Sequence, residues 1–244
     1  SELPIIAIPT TYAGSEMTPI WGLTEDGVKK TGRDPRVLPA TVIYDPDLTM
    51  SLPTFIAGPS GLNAIAHSVE ALYAPDANPV TNLIAEESIR ALNESLPVIV
   101  SQPDNKEARA QGLYGAYLAG SALAAVSMSL HHKLCHTLGG CFDLPHAEVH
   151  TIILPYATRY NAAAAPQAMD CICRAMGTTN AAQGIYDLNL AVGAKTALKE
   201  IGFNESDIEK AATIATQNPY ANPAPVTFEG IVELLQDAFR GERP

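Results

Sequence analysis

The sequence is poor in positive charge. Its 244 residues include 15 Lys and Arg against 26 Asp and Glu, which gives a formal net charge of −11. The longest run of basic residues is the pair Lys29-Lys30. Nucleic acids and anionic membranes bind to basic patches, so we expect neither as a partner. A small anion remains a possible ligand, because the local field at a site matters more than the total charge.

Cysteine is also scarce. The four cysteines are Cys135, Cys141, Cys171 and Cys173. Their spacing matches neither a zinc ribbon nor a thioredoxin motif. With no signal peptide recognisable at Ser1, we expect four reduced thiols and a cytoplasmic location.

Long apolar runs and the common glycine-rich motifs are missing as well. The longest apolar stretch, Leu118–Leu130, is interrupted by three serines. It is too short to span a bilayer, and we expect it to form a buried helix. The sequence contains no GxGxxG or GxxxxGK[ST] phosphate loop and no GxSxG nucleophile elbow. These absences remove the simplest evidence for nucleotide binding or for serine hydrolase chemistry.

The composition is that of an ordered protein with a substantial core. Hydrophobic residues make up 47% of the chain and charged residues 17%, and the length predicts one large domain or two small ones. The run from Leu3 to Pro9 is typical of a buried strand. A turn at residues 25–27 predicts a β-hairpin between Met17–Thr24 and Val28–Arg33, and Ala40–Tyr44 is a further short strand.

Helical periodicity dominates after Pro53. We therefore predict an α/β part at residues 1–50 and an all-helical domain at residues 51–244. Ser206 and Glu209 have the spacing of a capping box, Gly202 is placed to end a helix, and Gly139-Gly140 should end another. The predicted helices are Ser60–Tyr73, Val80–Leu92, Lys106–Ser127, Leu130–Leu138, Pro166–Met176, Ile185–Ile201, Asp207–Ala215 and Phe228–Arg240.

Histidines are concentrated in one segment, which indicates a functional site. Five of the six are His131, His132, His136, His146 and His150. The remaining one, His67, follows Asn63 by four residues, so the two share one face of a helix. His132 and His136 share a helix face in the same way, His131 points elsewhere, and His146 is expected in a loop.

This constellation has two interpretations. Neutral imidazoles at His67, His132 and His146 could bind zinc with an open fourth position. Iron(II) prefers a carboxylate among its ligands, and Asn63 offers only a weak carbonyl oxygen. From the spacing alone, a metal site and a metal-free histidine cluster are equally supported.

Other polar residues carry weaker signals. The segment Thr10–Glu16 follows the first strand and could place N–H groups and hydroxyls against a phosphate or ribose, or could be an ordinary turn. Glu70 lies three residues after His67 and could orient that ring, or could be a solvated helix residue. Four cations could bind carboxylates or could be surface charges: Arg33, Arg36, Lys133 and Arg159.

Several motifs, in order along the chain, resemble the iron-containing (group III) alcohol dehydrogenase family. Pro9-Thr10-Thr11 is similar to the Pro-Thr-Thr segment of the family, and Asp45-Pro46-Asp47-Leu48 to its Asp-Pro-x-Leu turn. Gly61-Leu-Asn63-Ala-Ile-Ala-His67 resembles the metal-ligand helix, with Asn63 in the place of the ligand aspartate.

The histidines extend the resemblance. His132 and His146 match the two remaining metal ligands, and His136 matches the histidine next to the nicotinamide. His150 stands where metal-dependent members tend to have a smaller amide. Asn218-Pro219-Tyr220 resembles a late Asn-Pro-Arg motif, with tyrosine in place of arginine. The short segment Tyr12–Glu16 and the loss of the aspartate are typical of the maleylacetate reductase branch.

The resemblance implies a dehydroquinate synthase-like fold in a cytoplasmic homodimer that binds NADH or NADPH. Family members carry a dinucleotide-binding domain of roughly 100 residues before this point, with a Gly-Gly-Gly-Ser phosphate loop. We therefore expect the chain to be part of a longer protein, with residues 1–50 as the remainder of that domain. The residues implied in cofactor binding are Thr10, Thr11, Tyr12, Ser15, Leu48 and His136.

The implied reaction is reduction of the carbon–carbon double bond of maleylacetate, a small dicarboxylate, to 3-oxoadipate during aromatic-compound catabolism. No metal would be required. Hydrogen-bond donors and partial positive charge would replace it, provided by Asn63, His67, His132, His136 and His146. Either His136 or His146 would supply the proton.

Two alternatives remain open at this level. One is a metal-dependent (Fe or Zn) alcohol or polyol dehydrogenase, which would use the same residues as ligands. The other is a non-catalytic helical domain that binds a metal or a partner protein.

Overall fold

The structure, a computed structural model, describes residues 3–25, 28–218 and 220–244. In these ranges four short strands precede nine α-helices. The strands are β1 (Ile6–Ala7), β2 (Ile20–Glu25), β3 (Val28–Arg33) and β4 (Thr41–Val42). The helices are α1 (Thr54–Leu72), α2 (Pro79–Ser101), α3 (Lys106–Ala125), α4 (Leu130–Phe142), α5 (His146–Asn161), α6 (Pro166–Met176), α7 (Ala181–Ala191), α8 (Ile208–Thr216) and α9 (Phe228–Arg240). The mostly helical fold is confirmed, while the domain division at residue 50 stays a prediction.

The predicted hairpin is present. Strands β2 and β3 pair antiparallel, with Ile20 opposite Arg33 and Glu25 opposite Val28. Two residues of the predicted turn, Asp26-Gly27, lie outside the described residues.

The first strand is shorter and more exposed than the sequence indicates. Strand β1 pairs in parallel with β4, and the prediction that Leu3–Pro9 is a buried strand is wrong. Ile6 is 63% exposed and Ile8 is 48% exposed. In the described part of the chain β1 has β4 as its one strand neighbour, so most of its side chains lack the cover that an interior strand receives.

The helices bury two adjoining apolar clusters. One contains residues such as Leu62 and Ile89 and lies mainly among α1, α2, α3, α6 and α7. The other contains residues such as Leu134 and Ile152 and lies among α4, α5, α8 and α9. Helix α5 packs against α1, α4, α7 and α9 and therefore joins the two clusters. The site residues lie where α1, α4 and α5 meet.

Two helices are longer than predicted, because each continues through a proline. Helix α1 begins at Thr54 rather than at Ser60, and Pro59 lies inside it. Helix α2 continues to Ser101 and contains Pro97. Each proline removes one backbone hydrogen bond, but both helices bury one face in the core, and that tertiary packing outweighs the local cost.

The loop predicted around His146 is also wrong. Helix α4 does not end at Gly139-Gly140 but continues to Phe142. His146 is the first residue of α5, and Pro145 is its N-cap. A proline next to the first turn is tolerated because the N–H groups there have no partner within the helix.

The C-terminal helices differ in detail. The helix predicted over Ile185–Ile201 is wrong, because α7 covers Ala181–Ala191 and Gly193 then turns the chain with a φ of 68°. Gly202, with a φ of 90°, ends a short 3₁₀ turn, as its predicted role as a stop requires. The predicted capping box is not formed, since no side chain caps the N-terminus of α8.

A buried arginine attaches the N-terminal segment to the helices. Arg109 on α3 is fully buried, and its guanidinium donates to the carbonyl oxygens of Pro103, Thr49 and Leu52 and to the hydroxyl of Tyr12. Because the fork of donors is satisfied by oxygens from three segments, this one side chain fixes the loops that precede α1 against α3.

Two glycines allow the same segment to approach α3 closely. Gly14 has a φ of 82°, which is a left-handed conformation that other residues rarely adopt. A Cβ atom added to Gly120 would lie 2.0 Å from the Gly14 carbonyl oxygen. The backbones are therefore in direct contact, and neither position has room for a side chain.

We expect the Gly120→Ala substitution to lower the free energy of unfolding by about 1–3 kcal/mol or more, because the added methyl group forces two backbones apart. Urea titration of the two proteins measures the difference. The control is Gly140→Ala, where an added Cβ meets nothing within 4 Å. There we expect a gain of about 0.5–1 kcal/mol, since alanine is the better helix former. Equal stability of the two variants would contradict the predicted clash.

Among the described residues, no single helix is long and apolar enough to cross a membrane. Helices α3 and α4 pass a length and composition test together, but they are bent by 97° relative to each other. The stretch Leu118–Leu130 does not form one helix as predicted, because α3 ends at Ala125 and α4 begins at Leu130. Its part within α3 is largely buried, with Ala119 and Ala122 fully inaccessible.

Candidate active site

Three helices bring the predicted site residues together. Helix α1 carries Asn63 and His67, α4 carries His132 and His136, and His146 begins α5. The Nδ1 atom of His67 lies 2.8 Å from the Nε2 atom of His132, and these two rings stack with centroids 4.9 Å apart. The His132 and His136 rings, one helical turn apart, have centroids separated by 6.4 Å.

Glu70 holds this arrangement in place through hydrogen bonds to helix α4. Its carboxylate is fully buried and accepts hydrogen bonds from the backbone N–H groups of Ser129 and His131, at the start of α4. It also lies 2.7 Å from Nδ1 of His132. The expectation that Glu70 orients His67 is therefore replaced: Glu70 orients His132, which in turn contacts His67.

These contacts determine which ring nitrogens carry protons. A carboxylate accepts a hydrogen bond, so Nδ1 of His132 is protonated and its Nε2 atom faces His67. His67 also forms a hydrogen bond with the backbone of Ala13, which raises its pKa against the stronger effect of burial. The chain of contacts thus runs from Glu70 through two imidazoles to the loop that follows β1.

His131 and His150 extend the cluster into the interior of the protein. The sequence motifs assigned neither of them a role in the reaction. His131 is fully buried, and its Nε2 atom donates to the carbonyl oxygen of His150 at 2.9 Å. His150 is 1% exposed, and within the described residues neither of its ring nitrogens has a hydrogen-bond partner. Its ring centroid lies 4.3 Å from that of His146 and 5.1 Å from that of His132. The clustering in the sequence was the available signal for both.

The six histidines differ in burial. Four are buried and two are exposed: the buried ones are His67, His131, His132 and His150, and the exposed ones are His136 and His146. Burial lowers the pKa of His131 to about 4 and that of His132 to about 3, and neighbouring histidines contribute to both shifts. Burial also moves the pKa of His67 and of His150 well below the usual value. These four rings are therefore neutral near pH 7 and bring no full positive charge to the site.

The rim of the cluster is accessible to a ligand. His136 and His146 are both exposed, at the surface end of the arrangement formed by His132 and His150. A small molecule that enters from solvent would meet these two imidazoles first. Any histidine that exchanges a proton with a substrate should therefore belong to this pair.

The residues present fit a divalent cation poorly. The buried groups whose ligand atoms lie within 4.8 Å of one another are Glu70–His131–His132 and His131–Cys135–His150. Neither group contains His67 or His146, two of the family positions. Nδ1 of His67 instead contacts Nε2 of His132. The Oδ1 atom of Asn63 is buried without a hydrogen-bond partner in the described part of the chain, but an uncharged amide is a weak ligand.

Five of the six predicted cofactor-binding residues lie in two turns, and the sixth, His136, is exposed on α4. Thr10, Ser15 and Leu48 are exposed, and Thr11 is partly buried. Tyr12 is fully buried. The Tyr12 backbone N–H donates to the Ser60 hydroxyl, and its side chain lies against α3, so that side chain cannot contact a nucleotide. The other four residues keep a surface on which a cofactor could lie.

Three of the four cations proposed as carboxylate ligands already have oxygen partners. Lys133 differs, since its ammonium nitrogen lies 5.9 Å from the centre of the Tyr220 ring. The other three contacts are Arg33 with the Ala124 carbonyl oxygen, Arg36 with the Asp34 carboxylate and Arg159 with the Asp237 carboxylate.

Comparison with known proteins identifies the same family along the whole chain. The profile of the Fe-containing alcohol dehydrogenase family, C-terminal, matches residues 58–239, and that of iron-containing alcohol dehydrogenase matches residues 1–46. A maleylacetate reductase of Sphingobium indicum is 56% identical over 243 residues, which cover 100% of this chain and 69% of that protein.

Solved structures give the same result. Maleylacetate reductase from Rhizobium sp. strain MTP-10005 superposes with a TM-score of 0.97 at 50% identity, covering 100% of this chain and 69% of that one. Sulfoacetaldehyde reductase from Bifidobacterium kashiwanohense, solved in complex with NAD+, superposes with a TM-score of 0.89 at 27% identity, covering 98% of this chain and 66% of that one.

Proposed function

This chain belongs to the iron-containing alcohol dehydrogenase family, and from that premise we propose that the protein is a maleylacetate reductase. It is an oxidoreductase that reduces the carbon–carbon double bond of maleylacetate with NADH or NADPH and forms 3-oxoadipate during the breakdown of aromatic compounds. The observation that carries the proposal is the histidine cluster with Asn63 at the position of the family's aspartate ligand. Identity of 56% to a maleylacetate reductase over the length of this chain supports it.

The chemistry follows from the substrate. A nicotinamide cofactor, when bound, supplies a hydride to the alkene carbon that is β to the ketone. The alkene electron pair then moves onto the ketone oxygen as an enolate. A proton delivered to the α carbon completes the product, so the reduction consumes one hydride and one proton.

Residues of this chain would stabilise the negative charge of the enolate and deliver the proton to the α carbon. His67 and His132 are neutral and held in fixed orientations, so they can contribute preorganised dipoles near the developing enolate. Asn63 is uncharged, so unlike an aspartate it does not repel a dianionic substrate. Its amide nitrogen can also donate a hydrogen bond. His136 and His146 are exposed at the rim, where one of them can deliver the proton.

Metal independence is part of the proposal. Its support is the donor set itself, with a neutral amide at residue 63 and with His67 and His132 hydrogen-bonded to each other. We also propose a homodimer, on the basis of the family resemblance alone. The runner-up is a metal-dependent alcohol or polyol dehydrogenase, which the name of the family favours.

We expect the full-length protein to keep its activity with maleylacetate after exhaustive treatment with a chelator. Steady-state rates before and after treatment, together with elemental analysis of the same samples, measure this. The matched control is a metal-dependent member of the family under the same treatment, which should lose activity. Activity that follows added iron or zinc would reject metal independence. Reduction of simple aldehydes but not of maleylacetate would reject the substrate.

A further inference from the structure

We infer that Lys133 is the residue that recognises the terminal carboxylate of the substrate, the one attached to the CH₂ group beside the ketone. This inference rests on the proposed function, because a maleylacetate reductase must bind a dianion. Residues that bind the carboxylates are not identified by the family motifs in this sequence. A cationic side chain beside the histidine cluster is the natural partner for such a carboxylate.

The position of Lys133 places its charge beside the histidine cluster. It follows His132 directly on α4 and precedes His136 by three residues, so it borders the face that carries both imidazoles. Its side chain is partly buried. Helix α4 begins at the backbone N–H groups that bind Glu70, and the Ser129 hydroxyl donates to the Ala221 carbonyl oxygen at 2.7 Å. That bond holds the segment containing Tyr220 against the same end of the helix.

The Tyr220 ring supports the ammonium group without neutralising it. The 5.9 Å separation from the ring centre is a cation–π distance. Tyr220 directly precedes Ala221, whose carbonyl oxygen accepts from Ser129 at the start of α4. The ring is not a carboxylate, so the three donors of the Lys133 ammonium group are left for an anion.

Most other cations of the described chain are already paired with carboxylates, and Lys133 has no carboxylate partner there. Arg109 is buried and fully engaged with oxygens. Arg33 donates to the carbonyl oxygen of Ala124. On the helix that provides His132 and His136, the positive charge available to a ligand is that of Lys133.

The test compares Lys133→Met with Lys210→Met in the full-length protein. Lys210 is a suitable control, because its ammonium also lies over an aromatic ring, that of Phe142 at 5.4 Å, but on α8. For Lys133→Met we expect the KM for maleylacetate to rise by roughly 30-fold or more, as removing one partner of a charge pair does. We expect kcat to change by less than about threefold and the KM for the nicotinamide cofactor to stay the same, because only substrate binding is affected.

A truncated substrate identifies which carboxylate is bound. In cis-4-oxopent-2-enoate a hydrogen atom replaces the terminal carboxylate of maleylacetate. Lys133→Met should leave kcat/KM for this analogue near the wild-type value, and Lys133→Arg should recover part of the affinity for maleylacetate. An equal loss for both substrates, a rise in the KM for the cofactor, or an unchanged KM for maleylacetate would each overturn the inference.

Failure of the inference is distinct from failure of the proposed function. Wild-type protein that does not reduce maleylacetate rejects both. Wild-type activity that Lys133→Met leaves intact rejects the role of Lys133 alone. Thermal melts of each variant show whether folding is affected, and Lys133→Gln replaces Lys133→Met if the latter is unstable.

Discussion

Replacing His136 with alanine should lower kcat for maleylacetate by about 10²–10⁴-fold, the range expected when a general acid is removed. The imidazole is exposed on the same face of α4 as His132, with the two ring centroids 6.4 Å apart. It is therefore at the boundary between solvent and the buried histidines. The other rim histidine, His146, is the alternative donor.

The measurement is a pair of steady-state titrations for His136→Ala and His146→Ala, with cofactor affinity measured separately by fluorescence. The true donor should lose kcat while its cofactor affinity changes little. His136→Gln keeps a side chain that can form hydrogen bonds but cannot supply a proton at neutral pH, so it should be as slow as His136→Ala. Unchanged kcat in His136→Ala would remove that residue from the role, and a loss confined to His146→Ala would transfer the role to His146.

Replacing Glu70 with alanine should lower the free energy of unfolding by roughly 3–5 kcal/mol, because it leaves buried donors without their acceptor. Those donors are the backbone N–H groups of Ser129 and His131 and Nδ1 of His132. The carboxylate also lies at the positive end of α4, which adds a favourable interaction with the helix dipole. For a chain of this size we expect the melting temperature to fall by roughly 10 °C.

The control for Glu70→Ala is Glu86→Ala. Glu86 forms an ion pair with Arg174 at 2.8 Å, but the arginine side chain is 61% exposed, and exposed pairs contribute about 0–1 kcal/mol. Similar losses for the two variants would show that Glu70 does not have the anchoring role seen here.

A conservative change at the same position separates stability from orientation. In Glu70→Gln the amide oxygen can take the Oε2 position, where it still accepts from the N–H of Ser129 and from Nδ1 of His132, while the amide nitrogen leaves the N–H of His131 without an acceptor. We expect this variant to lose less stability than Glu70→Ala and to keep the His132 tautomer. The ¹⁵N chemical shifts of the imidazoles report that tautomer directly.

Local patterns predicted much of this protein correctly. The hairpin follows from a turn between two β-like runs, and the helical part follows from apolar periodicity. Several errors in the helices occurred at prolines: Pro59 and Pro97 lie inside α1 and α2, and α5, which was not predicted, contains Pro155. Local preference predicts a break at each of them, but these helices bury one face and the packing of that face decides where they end.

The chemical identity of the site was contained in the sequence, because residue types and short spacings are local properties. Asn63 in place of a carboxylate, its spacing to His67, and the concentration of histidines between residues 131 and 150 are all visible there.

The partners within the site were decided by the packing of α1 against α4 and α5. The contact between His67 and His132 joins residues 65 positions apart, and that between Glu70 and His132 joins residues 62 apart. The same packing buries Tyr12 and His150 and leaves His136 and His146 at the rim. No local spacing encodes these distances, since they depend on the angle at which distant helices pack and on the apolar faces that hold them together.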